Sequence, residues 1–130
     1  MTTRIAHCAC RQLQVETEDE PLIVSMCHCT ECQRRTGSPF GLGAWYPTGK
    51  VKVRGETRNF VRPIEGRTVT NHFCPHCGGT VMWEASKREG LVAVAVGMFA
   101  DPEFPPPARS IFEEMKHPWV EFRGKMDHLR

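Results

Sequence analysis

The sequence predicts a mainly β protein of short antiparallel sheets, and three observations support this fold class. Apolar and polar residues alternate over several short segments, which is the pattern of half-buried strands. Eleven glycines and ten prolines among 130 residues favour turns over long helices. Segments with helical periodicity are scarce. With 40% hydrophobic and 25% charged residues, the chain fits one globular domain, and we expect residues 1–130 to form it.

The predicted strands follow one another with short turns between them. Residues 91–96 form an unbroken apolar run, which predicts the most buried strand. A short helical turn is expected over residues 31–36, ending near Gly37, and a second brief helix over residues 110–116. Four prolines between residues 101 and 107 predict an extended loop. The other predicted strands cover residues 12–16, 22–24, 40–46, 51–53, 60–61, 67–73 and 80–83.

Seven cysteines in three tight groups are the most informative feature of the chain. Cysteines two or three residues apart bring two sulfurs to one metal from a single turn, and two such turns complete a tetrahedral zinc site. Seven sulfurs therefore predict one closed site of four thiolates and one site of three thiolates with a position left open. A closed zinc site is usually structural, and an open position is where catalysis occurs. The groups are Cys8 and Cys10; Cys27, Cys29 and Cys32; and Cys74 and Cys77.

Disulfide and redox uses of these cysteines are the alternatives to metal binding. An odd number of cysteines is not fully consumed by internal disulfides. The opening residues MTTRIAHC lack the apolar region of a secretory signal, and no run of 18 apolar residues follows. A redox Cys-x-x-Cys would need a βαβ pattern around it, which is missing. We therefore expect a cytoplasmic protein whose reduced thiols bind zinc at turns that pin the sheets, with no membrane segment.

Local sequence around the cysteines refines this expectation. Cys74-Pro75-His76-Cys77-Gly78-Gly79 has the form of a zinc knuckle, because glycine after the second cysteine permits a positive φ. Each cysteine group is expected at a junction between strands. His28 lies between two cysteines of an extended segment, so its side chain is expected to point away from a metal held by its neighbours. The residues alone leave open which groups share a metal.

The charge balance argues against nucleic acid as the main partner. The formal net charge is only +2. The pairs Arg34-Arg35 and Lys87-Arg88 are expected to be solvated surface. Neither an oligomeric state nor a protein partner follows from the sequence.

The chain resembles the glutathione-dependent formaldehyde-activating enzyme family, which shares its domain with centromere protein V. The match runs essentially from end to end. It is carried by MCHCTECQRRTGSPFG at 26–41, HFCPHCGGTVMWE at 72–84 and VAVGMFADPEFPPPARSIFEEMKHPWVEF at 94–122. The resemblance implies a zinc-bearing β architecture related to the Mss4-like fold. One departure is Arg11, because the family commonly has glycine directly after the first cysteine pair. We expect this change to affect the turn and to leave every ligand in place.

The resemblance also implies an activity and roles for residues. The family joins glutathione to formaldehyde, giving S-hydroxymethylglutathione, and acts in reverse as a carbon–sulfur lyase. The resemblance further implies two zinc ions per chain. Another small aldehyde or thiol is an open alternative, and His28, Thr30 or a water could supply the proton. By the resemblance, Cys8, Cys10, Cys74 and Cys77 hold a structural zinc, and Cys27, Cys29 and Cys32 hold a catalytic zinc.

An arginine near the open site would suit the two carboxylates of glutathione. Arg35 is the leading candidate because it follows the cysteine triplet closely, and Arg34, Arg62, Arg67 and Arg109 are further candidates. Two rival hypotheses remain. One is a zinc-stabilised binding module without catalysis, and the other is a small β domain in which both zincs are only structural.

Overall fold

The structure, a computed structural model, describes residues 2–130 and contains two β-sheets. The smaller sheet has three antiparallel strands in the order β1-β2-β5. Its strands are β1 (Thr3–His7), β2 (Gln14–Glu18) and β5 (Val51–Arg54).

The larger sheet has eight strands in the order β11-β10-β3-β4-β9-β8-β7-β6. Most neighbours are antiparallel, but β10 runs parallel to both β3 and β11. Its strands are β3 (Ile23–Cys27), β4 (Gly41–Pro47), β6 (Arg58–Ile64), β7 (Arg67–Phe73), β8 (Thr80–Ala85), β9 (Leu91–Ala95), β10 (Arg109–Ile111) and β11 (Asp127–His128).

The two faces of the larger sheet have different surroundings. Successive side chains of a strand point to opposite faces. One face packs on the smaller sheet and forms the main core, which includes Val15, Ala44, Tyr46 and Val94. The other face carries a second apolar cluster around Trp45 and Trp83. Strands β4 and β9 are therefore buried on both faces, as the apolar run 91–96 predicts.

Helical structure is brief, as expected from the sequence. The helix α1 (Thr30–Thr36) begins after the N-cap Cys29 and ends at Gly37, whose φ of 71° is left-handed. Single turns of 3-10 helix occur at Thr48–Lys50, Val96–Phe99 and Glu113–Met115. Within residues 2–130, no helix is long and apolar enough to cross a bilayer.

The structure confirms the mainly β fold class and corrects four expectations. Strand β1 was not predicted. The expected helix over residues 110–116 is wrong, because Arg109–Ile111 forms β10 and only one 3-10 turn follows. The expectation of purely antiparallel sheets is wrong at β10, which pairs in parallel with β3. The extended segment with Pro105, Pro106 and Pro107 leads the chain to this edge. The middle cysteine group lies between a strand and a helix, not between two strands.

Candidate metal centres and the adjoining pocket

The first candidate metal centre joins two turns from different sheets. Cys8 and Cys10 follow β1, whereas Cys74 and Cys77 lie in the turn between β7 and β8. All four sulfurs lie within 4.8 Å of one another, and the Cys8–Cys10 and Cys10–Cys74 sulfur distances are both 3.6 Å. Zn–S bonds of about 2.3 Å place two sulfurs of a tetrahedron about 3.8 Å apart, so the spacing fits zinc. We call this group the four-cysteine cluster.

Fixed N–H groups surround the four-cysteine cluster. The Gln12 amide Nε2 donates to the Cys74 sulfur at 3.0 Å, the backbone N–H of His76 donates to it at 3.3 Å, and the backbone N–H of Leu13 donates to Cys8 at 3.4 Å. Burial acts against ionisation of Cys74, but the Gln12 and backbone donors prevail and lower its pKa to about 6. The donors around Cys74 thus favour its thiolate, which is the form that binds a metal.

Both turns of the four-cysteine cluster contain a left-handed residue. Gly78 has a φ of 79°, as the knuckle pattern predicts. Arg11 has a φ of 70°, although it carries a side chain that disfavours this conformation. Its backbone N–H donates to the Cys8 carbonyl at 3.0 Å and closes the turn. The departure at Arg11 therefore leaves the left-handed turn intact.

The second candidate metal centre is built by one continuous segment. Cys27 ends β3, Cys29 is the N-cap of α1 and Cys32 lies in its first turn. Their three sulfurs lie within 4.8 Å of one another. The Cys32 backbone N–H donates to the Cys29 sulfur at 3.3 Å, and the thiols of Cys27 and Cys32 lower the pKa of Cys29 to about 2. We call this group the three-cysteine cluster, and its donor set also suits a zinc ion.

His28 points away from the three-cysteine cluster, as its position between two cysteines predicts. The side chain is fully buried and its Nε2 lies 2.9 Å from the Ser110 hydroxyl. That hydroxyl donates in turn to the Glu113 carboxylate at 2.8 Å. Burial lowers the pKa of His28. The histidine therefore anchors the β3–β10 edge and is not a ligand in this arrangement.

The three-cysteine cluster lines a pocket on the concave face of the larger sheet. Residues from β10 and from β6 both reach this pocket although five strands separate them, so the sheet curves around it. The rings of Trp45 and Trp83 form its apolar floor. Five arginines line its walls, and we call it the arginine pocket. They are Arg35, Arg62, Arg67, Arg88 and Arg109.

Two glycines of β4 make room for the floor of the arginine pocket. A Cβ on Gly43 would lie 2.7 Å from the Trp83 ring, and a Cβ on Gly41 would lie 2.5 Å from the Arg35 guanidinium. The Arg35 guanidinium stacks on Trp83 at 3.8 Å from the ring centroid. Burial lowers the pKa of Arg35, and the neighbouring Cys32 sulfur acts in the opposite direction. Positions 41 and 43 therefore need glycine, because the Arg35 guanidinium and the Trp83 ring occupy the space that a side chain would fill.

The structure brings together most of the residues singled out from the sequence. Each cysteine group gathers as expected, and Arg35 faces the pocket beside the triplet. Arg34 points to solvent and pairs with Glu31 instead. The expectation of a solvated pair is wrong for Arg35 and Arg88, because each lines the pocket while its neighbour Arg34 or Lys87 is exposed.

Sequence reasoning missed Arg88, Trp45 and Trp83 as pocket residues. Trp45 and Trp83 both pair with Ala93 in the sheet and so share one face. The period-two pattern of β4 and β8 could have placed both rings together once their common neighbour was known. Arg88 lies in a turn, where periodicity gives no direction.

The fold and the two cysteine clusters define a small, cysteine-rich β domain with two candidate metal centres, one of them beside a pocket. The sequence model of the family described as "Glutathione-dependent formaldehyde-activating enzyme" matches residues 3–115. The chain belongs to this family. The Mss4-like zinc architecture that the sequence predicts fits the observed fold and its cysteine clusters.

Comparison with other proteins adds support for the fold alone. A crystal structure of a Rhodobacter sphaeroides protein superposes with a TM-score of 0.60 at 19% sequence identity. The alignment covers 78% of this chain and 91% of that chain. No curated protein matches the sequence.

Proposed function

We propose that this protein is a zinc-dependent carbon–sulfur lyase that interconverts a thiol and a small aldehyde with their S-hydroxymethyl adduct. Glutathione and formaldehyde are the expected pair, in line with the family. The observation that carries the proposal is the three-cysteine cluster in the wall of a pocket. Three protein sulfurs leave a coordination position free for a substrate atom, which is the arrangement of catalytic zinc sites.

The reaction needs one bond and one proton. In the forward direction the thiol gives up its S–H proton, its sulfur bonds to the aldehyde carbon, and the C=O π electrons move to oxygen. A proton is added to that oxygen, so no proton is gained or lost overall. The reverse direction breaks the same carbon–sulfur bond. Zinc held by Cys27, Cys29 and Cys32 would supply a Lewis acid that favours the thiolate or polarises the aldehyde oxygen.

The protein's own residues would bind and orient the thiol. Arg35 lies next to Cys32 and presents its guanidinium to the pocket, where it would pair with a carboxylate of glutathione. The rings of Trp45 and Trp83 would exclude water from beneath the reacting atoms. His28 is turned toward Ser110, and Thr30 is exposed outside the pocket lining, so the proton would come from solvent.

The four-cysteine cluster would hold a second, structural zinc under this proposal. It ties the turn after β1 to the β7–β8 turn and so fastens the two sheets together. The seven cysteines are free thiols in this fold, which suits a reducing compartment such as the cytoplasm.

The test measures exchange between formaldehyde and its glutathione adduct by NMR, with zinc-loaded protein, with Cys29→Ser and with buffer alone. We expect faster exchange with the wild-type protein and a loss of about 100-fold or more in the variant. Serine at position 29 keeps an N-cap acceptor for α1, so the fold should persist. Arg34→Met is the matched control for the helix surface, because Arg34 points to solvent.

A wild-type exchange rate equal to that of buffer would contradict the lyase proposal. The binding-module hypothesis would then take its place. In that case, replacement of the triplet should change partner retention or stability and leave no catalytic difference to explain.

A further inference from the structure

The arginine pocket carries a large excess of positive charge. Five arginines line it, and its lining includes no aspartate or glutamate. Across residues 2–130, Arg62 is the one of these five with a carboxylate within 4.0 Å, and its partner Glu31 lies 3.5 Å away, too far for a good hydrogen bond. Protein carboxylates therefore leave most of this charge uncompensated.

Several guanidinium N–H groups in the pocket are buried and lack hydrogen-bond partners among the described residues. They include Nε and Nη2 of Arg35, Nε of Arg62 and Nη2 of Arg109. Arg62 is only 8% exposed. A buried polar group without a partner costs about 1–3 kcal/mol, and more when it is charged. Such a set of donors points to an acceptor that enters from outside.

Two of the guanidiniums are held in place by the floor of the pocket. The Arg35 Cζ lies over the Trp83 ring at 3.8 Å from its centroid, and the Arg88 Cζ lies over the Trp45 ring at 4.8 Å. A guanidinium held over an aromatic face can still present N–H groups to a ligand, and these groups bind carboxylate or phosphate oxygens. The two rings thus orient two anion-binding groups before any ligand arrives.

The arginines also repel one another. Burial lowers the pKa of Arg88, and the charges of Arg109 and Arg67 lower it further. Three thiolates with one Zn²⁺ would carry a net charge of −1, and Glu31 contributes another negative charge. About three of the five positive charges then remain for a ligand to balance.

We propose that the arginine pocket favours thiols that carry at least two negative charges, and that it binds a dianionic thiol without an ammonium group more tightly than glutathione. The proposal rests on the lyase function for the thiol end, which the three-cysteine cluster would receive. Glutathione has two carboxylates but also an ammonium, for which the lining offers no carboxylate. A dianionic thiol without an amine fits the lining better, whether its charge comes from two carboxylates or from a phosphate.

Binding of the anion is tested without any thiol. Succinate, propionate and inorganic phosphate are titrated into zinc-loaded protein while the tryptophan fluorescence is followed, since Trp45 and Trp83 lie in the pocket. We expect a dianion to bind at least about tenfold more tightly than propionate. Tighter binding of succinate assigns the charge to two carboxylates, and tighter binding of phosphate assigns it to a phosphate ester. Equal or undetectable binding of all three would overturn the proposal.

Arginine variants locate the binding. Arg88→Met and Arg109→Met should each weaken binding of the preferred dianion by about 10- to 100-fold, the usual worth of a charge-assisted hydrogen bond. Arg34→Met removes the same charge from the solvent side of α1 and should leave the affinity unchanged. An equal loss in Arg34→Met would mean that only the overall charge matters, which would overturn the assignment to this pocket.

Turnover then separates this proposal from the lyase function. Formaldehyde is supplied with mercaptosuccinate, 3-mercaptopropionate, 2-mercaptoethanol or cysteamine, and glutathione is compared with N-acetylglutathione. We expect kcat/KM to be highest for mercaptosuccinate and to fall through 3-mercaptopropionate and 2-mercaptoethanol to cysteamine. We also expect kcat/KM to be higher for N-acetylglutathione than for glutathione. Equal kcat/KM values for all these thiols would refute the selection by charge and leave the lyase proposal in place. Dianion binding without turnover of any thiol would refute the lyase and keep the anion site.

Discussion

The two cysteine clusters lie on opposite faces of the larger sheet and meet different surroundings. Cys8 and Cys74 belong to the core between the two sheets, and neutral N–H dipoles point at their sulfurs. Cys29 and Cys32 line a pocket, and the charged Arg35 lies beside them. One cluster joins segments 64 residues apart in sequence, between Cys10 and Cys74, whereas the other spans a single turn.

This difference corresponds to two uses of sulfur ligands, which are to stabilise a fold and to hold a metal that binds an external ligand. A metal that joins distant segments is linked to the folding of the whole chain, because it closes a long loop and fastens two sheets. A metal held within one local segment adds little to the long-range fold, so it is free to exchange and to take an external ligand.

Removing a sulfur from the four-cysteine cluster should have the largest effect. Cys8→Ala deletes a fully buried sulfur between the sheets, and we expect a loss of at least about 4 kcal/mol in the free energy of unfolding. Urea unfolding followed by circular dichroism measures it. Cys29→Ser is the matched change in the other cluster. Measured against wild-type protein from which the labile zinc has been removed, it should cost about 1 kcal/mol or less. Equal losses in the two variants would refute the division of roles.

Mild chelation should remove zinc from one cluster before the other. We expect two zinc ions per chain by elemental analysis, and loss of the one held by Cys27, Cys29 and Cys32 first. A metal present at about 100 times its dissociation constant stabilises the fold by about 2.7 kcal/mol, so its removal should cost about that amount. A single zinc that resists the chelator would contradict the expectation of two filled sites.

Gly43→Ala tests the pocket face without touching a sulfur. The added Cβ would meet the Trp83 ring at 2.7 Å and Ala93 at 3.4 Å, so the ring must move. We expect a loss of about 1–2 kcal/mol, a shift in tryptophan emission and weaker binding in the arginine pocket. Gly49→Ala is the control, because a Cβ at that position meets nothing within 4 Å. Identical stability and emission in the two variants would show that Trp83 is not packed on Gly43.

The sequence was sufficient for the fold class and for the grouping of the cysteines, for different physical reasons. Strands such as Arg67–Phe73 follow from period-two alternation, and the cysteine groups follow from local spacing. The parallel placement of β10 and the curvature of the larger sheet depend on distant contacts. Arg62 and Arg109 were candidates only by residue type, and it is this curvature that brings them to the same pocket as Arg35.

Arg11→Gly should have the smallest effect and the opposite sign. Arg11 is exposed, and its φ of 70° costs about 1–2 kcal/mol for a residue with a Cβ, whereas glycine adopts it freely. Glycine also makes the unfolded chain more flexible, so we expect a net gain of about 0.5–1 kcal/mol in urea unfolding.

Arg11→Ala is the control for this gain, because alanine removes the guanidinium but keeps the Cβ and its strain. If the turn that follows Cys8 and Cys10 limits the four-cysteine cluster, only the glycine variant should become more stable and hold its zinc more tightly against a chelator. A similar gain in both variants would place the effect in the arginine charge. In that case backbone strain would play no part in the behaviour of the four-cysteine cluster. Backbone N–H groups donate to sulfurs in both clusters, so the Gln12 amide would remain as the donor that distinguishes the four-cysteine cluster from the three-cysteine cluster.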